Sequence, residues 1–291
     1  MEATELIKKV RKIEIRTRGL SKQIFSGEYH STFKGRGMAF SEVREYQFGD
    51  DIRAIDWNVT ARFNHPFIKI FEEERELTVI LLVDVSSSEN FGTKLQFKKD
   101  LITELCAVLA FSAIQNNDKI GVIFFSDHIE KFIPPKKGRT HILRIIRELI
   151  EFKPIHIKTD ISQALRYLIN VIKKRSIVFV ISDFIDNGFE DALKISSKKH
   201  DTVAVQIYDY RETELPDIGL VYAQDAESGQ YKWLDTSSRE VRNNFSKWWN
   251  EKQSGLKELF ARSKVDVVKI RGDESYIQPL MNFFKMRERR K

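Results

Sequence analysis

From residue 77 onward, the sequence alternates between short apolar runs and longer segments in which apolar residues recur with the period of an α-helix. The short runs have the length and the almost continuous hydrophobicity of strands that are buried on both faces. They cover residues 77–83, 120–125, 176–182, 202–208 and 265–270. After Pro154, apolar residues lie at offsets of 0, 3, 4, 7 and 11 from Ile161, which marks one face of a helix. This alternation predicts an α/β fold with a doubly wound, mostly parallel sheet and helices on both faces.

The first quarter of the chain has a different character. Residues 1–75 begin with a basic amphipathic segment and continue as a glycine-punctuated stretch with short alternating runs. We therefore expect an N-terminal basic helix and a small β subdomain over residues 1–75, and the large α/β domain over residues 76–291. A hairpin is expected as an insertion near residues 221–234, with a further helix at the C-terminal end.

Composition excludes several classes of protein. Hydrophobic residues make up 42% of the 291 residues, which is enough for a substantial core. No run approaches the roughly 20 apolar residues of a membrane span, and the N-terminus lacks the basic-then-apolar order of a secretory signal. The single cysteine, Cys106, lies among apolar residues of a predicted helix, where a buried small hydrophobe is expected. These features predict a cytoplasmic protein.

The positive charge is concentrated at the two ends of the chain. There are 49 Lys and Arg residues against 42 Asp and Glu, a net charge of +7. The basic residues at the ends are Lys8, Lys9, Arg11, Lys12, Arg16, Arg18 and Lys22, and then Lys285, Arg287, Arg289, Arg290 and Lys291. Such ends could meet nucleic acid or another acidic partner. Because no aromatic residues are interleaved with the charge, we favour a solvated helix face and tail.

Oxygen-bearing side chains follow two of the predicted strands and begin one predicted helix. The first strand ends in Asp84-Val85-Ser86-Ser87-Ser88, an Asp-x-Ser-x-Ser pattern. Thr159 stands at the start of the helix that carries Ile161, and Asp183 ends the strand at 176–182. Ligands of α/β sheets bind beyond the carboxyl ends of the strands. Hydroxyl and carboxylate oxygens without nitrogen or sulfur form the ligand set of a hard cation, so we expect a metal site here.

The alternative interpretation of these residues is helix capping. Serine and threonine hydroxyls often accept hydrogen bonds from backbone N–H groups at helix starts. Capping would leave two carboxylates, Asp84 and Asp183, unexplained at the ends of neighbouring strands. They would repel each other unless a cation or hydrogen-bond donors lay between them, which favours metal binding.

At these positions the sequence resembles the von Willebrand factor type A domain and its metal-ion-dependent adhesion site. That site takes Asp-x-Ser-x-Ser from one loop, a Thr from a second loop and an Asp from a third. The matching positions are Asp84, Ser86, Ser88, Thr159 and Asp183, and the resemblance covers residues 76–272. The resemblance implies Mg²⁺ (or Mn²⁺) ligated directly by the three hydroxyls, with the two carboxylates acting partly through waters. It also implies an open position for an Asp or Glu side chain of a partner protein.

A second resemblance concerns residues 35–75. The sequence GRGMAFSEVREYQFGDDIRAIDW at 35–57, followed by Thr60-Ala61-Arg62 and Phe71-Glu72-Glu73-Glu74-Arg75, is similar to the signature of the bacterial domain-of-unknown-function family 58. Members of that family carry type A-like domains and are often encoded beside MoxR-type AAA+ ATPases. The resemblance implies such an ATPase, or a client protein that it remodels, as the partner.

Within residues 35–75, most of the signature residues are expected to have structural roles. Trp57 suits a buried anchor, and charged residues of the segment could form ion pairs that dock it onto the large domain. These charged residues are Arg44, Arg53, Asp56 and Arg62.

Two other functions compete with a binding module. Asp84 occupies the place of the nucleophile in haloacid-dehalogenase-like phosphatases, but the acid/base aspartate two residues later is replaced by Ser86. There is no Gly-x-x-x-x-Gly-Lys-Ser phosphate loop, and the six histidines show no metal-ligand spacing. We therefore predict a metal-dependent interaction module rather than an enzyme, with a metal-dependent phosphohydrolase as the alternative and nucleic-acid binding as the third possibility.

Overall fold

The computed structural model describes residues 11, 13, 14, 39–72, 77–86, 98–154, 158–224 and 231–290. The chain divides into two compact units, residues 33–77 and the remainder. The end of the small unit falls two residues beyond the expected boundary at residue 75, whereas residues 1–32, expected in the same N-terminal domain, group with the larger unit. Glu14 belongs to the larger unit, where its carboxylate accepts a hydrogen bond from Arg139 Nε at 2.6 Å.

The small unit is built on one antiparallel strand pair. Strand β1 (Ala39–Glu45) pairs with β2 (Phe67–Glu72), and a short 3-10 helix (Ile52–Ala54) and helix α1 (Trp57–Phe63) connect them. The side chain of Asp56 accepts hydrogen bonds from the backbone N–H groups of Asn58 and Val59 in the first turn of α1, which fixes where this helix begins.

Two of the charged signature residues, Arg44 and Asp56, make contacts inside the small unit. Arg44 forms a two-point ion pair with Asp50, with nitrogen–oxygen distances of 2.7 and 2.8 Å. Asp56 caps α1 and lies 3.6 Å from the Lys69 ammonium group. The expectation that Trp57 is a buried anchor is wrong, because its side chain is 70% exposed at the first position of a helix that buries no residue.

The large unit contains a six-stranded sheet, a separate two-stranded sheet and most of the helices. Its strands are β3 (Thr78–Asp84), β4 (Lys119–Phe125), β5 (Ile129–Lys136), β6 (Ile177–Ser182), β7 (Asp201–Tyr208), β8 (Leu220–Gln224), β9 (Tyr231–Asp235) and β10 (Asp266–Arg271). Its helices are α2 (Lys98–Gln115), α3 (Arg139–Glu151), α4 (Ile161–Val171), α5 (Glu190–Lys199), α6 (Tyr210–Thr213), α7 (Arg239–Arg262) and α8 (Ile277–Arg289). The sheet has the order β10-β7-β6-β3-β4-β5, and only β5 runs antiparallel to its neighbour. The predicted fold is confirmed.

The core lies on both faces of this sheet. Ile80 and Leu82 of β3 point to one face and pack in a cluster with apolar residues of α4, α5 and α7. Leu81 points to the other face and is also fully buried. The predicted apolar face of α4 lies in the core, with Ile161 and Leu165 completely buried. Both faces of β3 are covered, which explains its continuous apolar sequence.

Most helices of the large unit are amphipathic. Helix α7 has 24 residues, and among them only Trp249, Leu256 and Phe260 are buried. Helix α2 is the exception, since nearly all of its residues are buried, including Cys106. Within the described parts of the chain, no helix combines the length and the hydropathy that crossing a membrane requires.

Strands β8 and β9 form a separate two-stranded sheet. They pair antiparallel with Val221 opposite Leu234, at the place where the sequence predicts an inserted hairpin. On the exposed face, the rings of Tyr222 and Trp233 lie 4.7 Å apart between centroids.

The edge strand β5 is irregular. Its register against β4 shifts after Ile133, where Pro134 and Pro135 interrupt the ladder. A Cβ atom at Gly121 of β4 would lie 2.9 Å from both the Ile133 carbonyl oxygen and the Pro135 nitrogen. Only glycine fits this close approach of two backbones.

Helix α8 is fastened to the amino ends of two strands. Arg287 donates to Asp266 at 2.7 Å and to Asp201 at 2.6 Å, and these are the first residues of β10 and β7. Arg290 also donates to Asp266, at 2.6 Å. The expectation of a simply solvated basic tail is wrong for Arg287, whose side chain is 14% exposed, because two carboxylates hold it against the sheet.

Candidate metal site at the carboxyl edge of the sheet

The structure places four of the five predicted ligands at the carboxyl edge of the sheet. Asp84 is the last residue of β3, and Asp183 directly follows β6. These strands are parallel neighbours, with Val83 paired with Ile181. Ser86 is buried two residues after Asp84, and Thr159 is half-buried just before α4. The fifth predicted ligand, Ser88, lies outside the described residues.

Backbone hydrogen bonds connect two loops, the one that follows β3 and the one that precedes α4, to the end of β4. The Val85 N–H donates to the carbonyl of Phe125, the last residue of β4, at 2.9 Å. The carbonyl of the next residue, Ser126, accepts from the Asp160 N–H at 2.9 Å. Ser86 directly follows Val85, and Thr159 directly precedes Asp160. Both predicted ligands are therefore adjacent in sequence to a residue that is hydrogen-bonded at the end of β4.

Asp84 is a buried carboxylate with a donor on each oxygen. Its Oδ1 accepts from the Ser86 N–H at 3.0 Å, and its Oδ2 accepts from Ser182 Oγ at 2.7 Å. The side chain is 1% exposed. Burial, and next the charge of Asp183, raise the pKa of Asp84 to about 7. Two ionised carboxylates at this edge are thus unfavourable without a compensating positive charge.

Asp183, in the loop after β6, is held by hydrogen bonds to its side chain and to its backbone carbonyl. Asp183 Oδ1 accepts from the Ile185 N–H at 3.0 Å, and its backbone carbonyl accepts from Gln206 Nε2 at 3.2 Å. Three residues on, Asp186 Oδ2 accepts from the Ile161 N–H at 2.9 Å. This last bond connects the loop after β6 to the start of α4, close to Thr159 in the sequence.

Phe184 forms the sharp turn of the loop after β6. Its φ is +59°, a left-handed conformation that costs a non-glycine residue roughly 1–2 kcal/mol. Its N–H donates to Ser182 Oγ at 3.1 Å, and its buried ring packs edge-on against Phe260 at 5.2 Å between centroids. The turn sends the Phe184 ring into the core while the adjacent Asp183 carboxylate stays at the edge of the sheet.

Sequence reasoning missed two charged residues of the site. Lys98, the first residue of α2, is 1% exposed, and its ammonium group lies 3.4 Å from Asp183 Oδ2 and 2.5 Å from Glu212 Oε1. Glu212 belongs to α6, and its Oε2 accepts from the Asp209 N–H at 2.9 Å. Glu212 could have been found, since it closely follows β7 at the same edge of the sheet. Lys98 gives no such signal, because a lysine at a helix start usually faces solvent.

The capping alternative fails for Thr159. Helix α4 is capped by the next residue, Asp160, whose Oδ1 accepts from the Gln163 N–H at 2.7 Å.

The donor set fits a hard cation. Residues with hydroxyl and carboxylate side chains lie at one edge of the sheet, and a positive ion there would relieve the repulsion between Asp84 and Asp183. Over the part of the chain that the structure describes, no three His, Cys, Asp or Glu side chains group as a metal cage would. The predicted site contains only two carboxylates, and hydroxyl oxygens would have to supply the remaining donors.

The mostly parallel six-stranded sheet with helices on both faces is a von Willebrand factor type A-like α/β fold. An aerotolerance-related membrane protein from Bacteroides fragilis shares this fold with a TM-score of 0.51, at 14% identity over 73% of this chain and 99% of that chain. The VWA domain of SpRpn10 matches 71% of this chain and 94% of its own at 11% identity, with a TM-score of 0.38.

The chain belongs to the family described as "Protein of unknown function DUF58", which matches residues 42–255. The Mycobacterium tuberculosis protein Rv1480 is 27% identical over 283 residues, covering 96% of this chain and 89% of that protein. The predicted family is confirmed.

Proposed function

We propose that this chain is a metal-dependent protein–protein interaction module. Ser86, Ser88, Thr159, Asp84 and Asp183 would hold Mg²⁺ (or Mn²⁺), and the bound ion would supply a Lewis-acidic position that attracts a carboxylate of a partner. The observation that carries the proposal is the pair of buried carboxylates, Asp84 and Asp183, at the ends of neighbouring strands, where burial and then the charge of Asp183 raise the pKa of Asp84.

The hydrogen bonds of Asp84 support an indirect role for this carboxylate. Because Ser86 N–H and Ser182 Oγ each hold one of its oxygens, the carboxylate is fixed in orientation and its charge is spread over the site. Direct ligation then falls to uncharged hydroxyls, which leave the ion with most of its positive charge. An acidic side chain of a partner is the ligand that such a site prefers.

For the partner, we propose a MoxR-type AAA+ ATPase, for which this chain would act as an adaptor or co-factor, or a client protein of that ATPase. The support is the resemblance of residues 35–75 to the family often encoded beside such ATPases. We propose that the complex forms in the cytoplasm, where Mg²⁺ is available.

Metal binding is tested by calorimetric titration of Mg²⁺ or Mn²⁺ into chelator-treated protein. We expect one saturable site, largely lost in Asp84→Ala and retained in the control Asp191→Ala, which removes an exposed carboxylate on α5. The sheet does not depend on the ion, so the chelated protein should stay folded. Equal binding by Asp84→Ala would refute the assignment.

Partner binding is tested with a purified MoxR-type ATPase of the same organism, in Mg²⁺ and in EDTA. Ser86→Ala with Thr159→Ala should weaken the complex about tenfold or more, since a charge-assisted contact at an interface centre is worth about 2 kcal/mol. The matched control neutralises the exposed tail residues Lys285 and Arg289, because Arg287 and Arg290 hold α8 in place. Binding that survives EDTA but is lost in the tail variant would show electrostatic recognition instead.

The phosphohydrolase alternative has little support from the geometry. A nucleophilic aspartate must present an oxygen to its substrate, whereas Asp84 is buried with both oxygens hydrogen-bonded. Ser86 cannot act as the missing acid/base. We expect no turnover of a phosphoester panel in Mg²⁺, and turnover that is lost in Asp84→Asn would favour the enzyme.

A further inference from the structure

Lys98 is a buried lysine in contact with a proposed metal ligand. Its ammonium group lies between the carboxylates of Asp183, at 3.4 Å, and Glu212, at 2.5 Å. Burying an ammonium group is expensive unless carboxylates compensate for its lost hydration. The pair Lys98–Glu212 joins the start of α2 to the short helix α6, two elements that are 114 residues apart in the sequence.

One carboxylate is enough to balance the charge of the Lys98 ammonium group. Glu212 lies closer to Lys98 and is itself held by the Asp209 N–H within the capping box of α6. Lys98 nevertheless also faces Asp183, so the lysine and a divalent cation draw on the same carboxylate. Two cations that share one carboxylate repel each other and compete for its negative charge.

We infer that Lys98 is a tethered cation that sets how tightly the carboxyl edge of the sheet binds a divalent ion, and that Glu212 balances its charge. This inference rests on the proposed function, since it concerns the same metal site. Lys98 is a positioning residue here, because it would act on the ion through Asp183.

The charge balance at the edge gives the inference its direction. Taken by themselves, the carboxylates of Asp84, Asp183 and Glu212 and the ammonium group of Lys98 carry two net negative charges when all four groups are ionised, the charge that a divalent cation neutralises. Removing Lys98 should strengthen the attraction for the ion and destabilise the metal-free protein. Removing the charge of Glu212 should weaken the attraction.

The experiment measures Mn²⁺ affinity by calorimetry, and thermal unfolding in EDTA and in Mn²⁺, for the full chain. The variants are Lys98→Met, Glu212→Gln and the double variant. The control is Lys131→Met, which removes a lysine from a different ion pair, that with Glu148 at 2.6 Å.

We expect Lys98→Met to bind Mn²⁺ about tenfold more tightly and Glu212→Gln to bind it about tenfold more weakly. The double variant should return close to the wild-type affinity, and the control should leave it unchanged. Lys98→Met should unfold at a lower temperature in EDTA, and saturating Mn²⁺ should recover most of that loss. A merely structural lysine would give a loss that Mn²⁺ does not recover.

The outcomes separate this inference from the proposed function. If the wild type binds Mn²⁺ and folded Lys98→Met binds it equally or more weakly, the inference is wrong and the metal site stands. If only Lys98→Met binds Mn²⁺, the inference holds and the wild-type site needs a partner to outcompete the lysine. If neither protein binds, both ideas fall.

Discussion

At the scale of single residues, Asp84 determines how the site responds to pH. Its pKa is raised to about 7, first by burial and then by Asp183, whereas in the unfolded chain a carboxyl group titrates near 4. Between these values the folded protein holds a proton that the unfolded chain releases, so the metal-free protein loses stability as pH rises from about 4 to about 7. Above pH 7 the full penalty of the second charge is present.

The same proton should compete with the metal. Only the ionised Asp84 carboxylate attracts a cation, so we expect the affinity for Mn²⁺ to be nearly constant above pH 7. Below pH 7 it should fall by up to about tenfold per unit. Calorimetric titrations at pH 6, 7 and 8 measure this. Asp84→Asn, which cannot ionise, serves as the control and should show neither the affinity nor its pH dependence. Affinity that does not change over this range would contradict the role of Asp84.

Sequence spacing could identify residues that follow strands but not residues that meet through the fold. Asp84 and Asp183 were predictable, because each ends an apolar run and parallel strands end at one edge. Lys98 approaches Asp183 across 85 residues and Glu212 across 114, and no local pattern encodes such a meeting. Trp57 was misjudged because its size favours burial on average, whereas the structure leaves it exposed.

At the scale of elements, the contact between α8 and the sheet is the clearest case of a basic residue with a structural role. Arg287→Ala should lower the free energy of unfolding by about 2 kcal/mol or more. It leaves Asp201 and Asp266 without the guanidinium group that bridges them. Urea denaturation measures the change. Arg289→Ala, an exposed position on the same helix, should stay within about 0.5 kcal/mol of wild type. Equal effects of the two substitutions would show that the ion pairs of Arg287 with Asp201 and Asp266 do not stabilise the fold.

The helices and strands themselves were predictable wherever one period dominated. The apolar face of α4 followed from its 3.6-residue repeat, and the core strands followed from continuous apolar runs. Helix α2 fits the periodic argument less well, because it is buried around nearly its whole circumference and has no polar face to mark its orientation. The ion pairs of Arg287 were not predictable, since its partners begin strands 86 and 21 residues away.

At the scale of the whole molecule, the proposed metal binding and the attachment of α8 lie at opposite ends of one sheet. The carboxyl ends of β3 and β6 carry the proposed metal ligands, while the amino ends of β7 and β10 carry the carboxylates that hold α8. Substitutions in the Arg287 cluster should therefore change stability without changing metal affinity. The doubly wound order of the sheet was predictable from the alternation of strands and helices, and this order is what places the ligand-bearing loops together.

The edge strand β5 leads to a prediction about self-association. Neither Pro134 nor Pro135 can donate a backbone hydrogen bond, and the register shift after Ile133 distorts the edge further. Pro135→Val should increase light scattering on prolonged incubation at high protein concentration. The control Pro216→Ala, in the loop after α6, should not. Unchanged scattering in Pro135→Val would show that the prolines have no protective role.

These two prolines also bear on how the chain behaves while it is being made. During synthesis the apolar strands β3 and β4 leave the ribosome long before β6, β7 and β10, so a half-built sheet must wait in a crowded solution. β5 follows β4 closely in sequence and closes that side early with an edge that is a poor template for other nascent chains. We therefore expect two residues that contribute little to the finished core to raise the yield of folded protein.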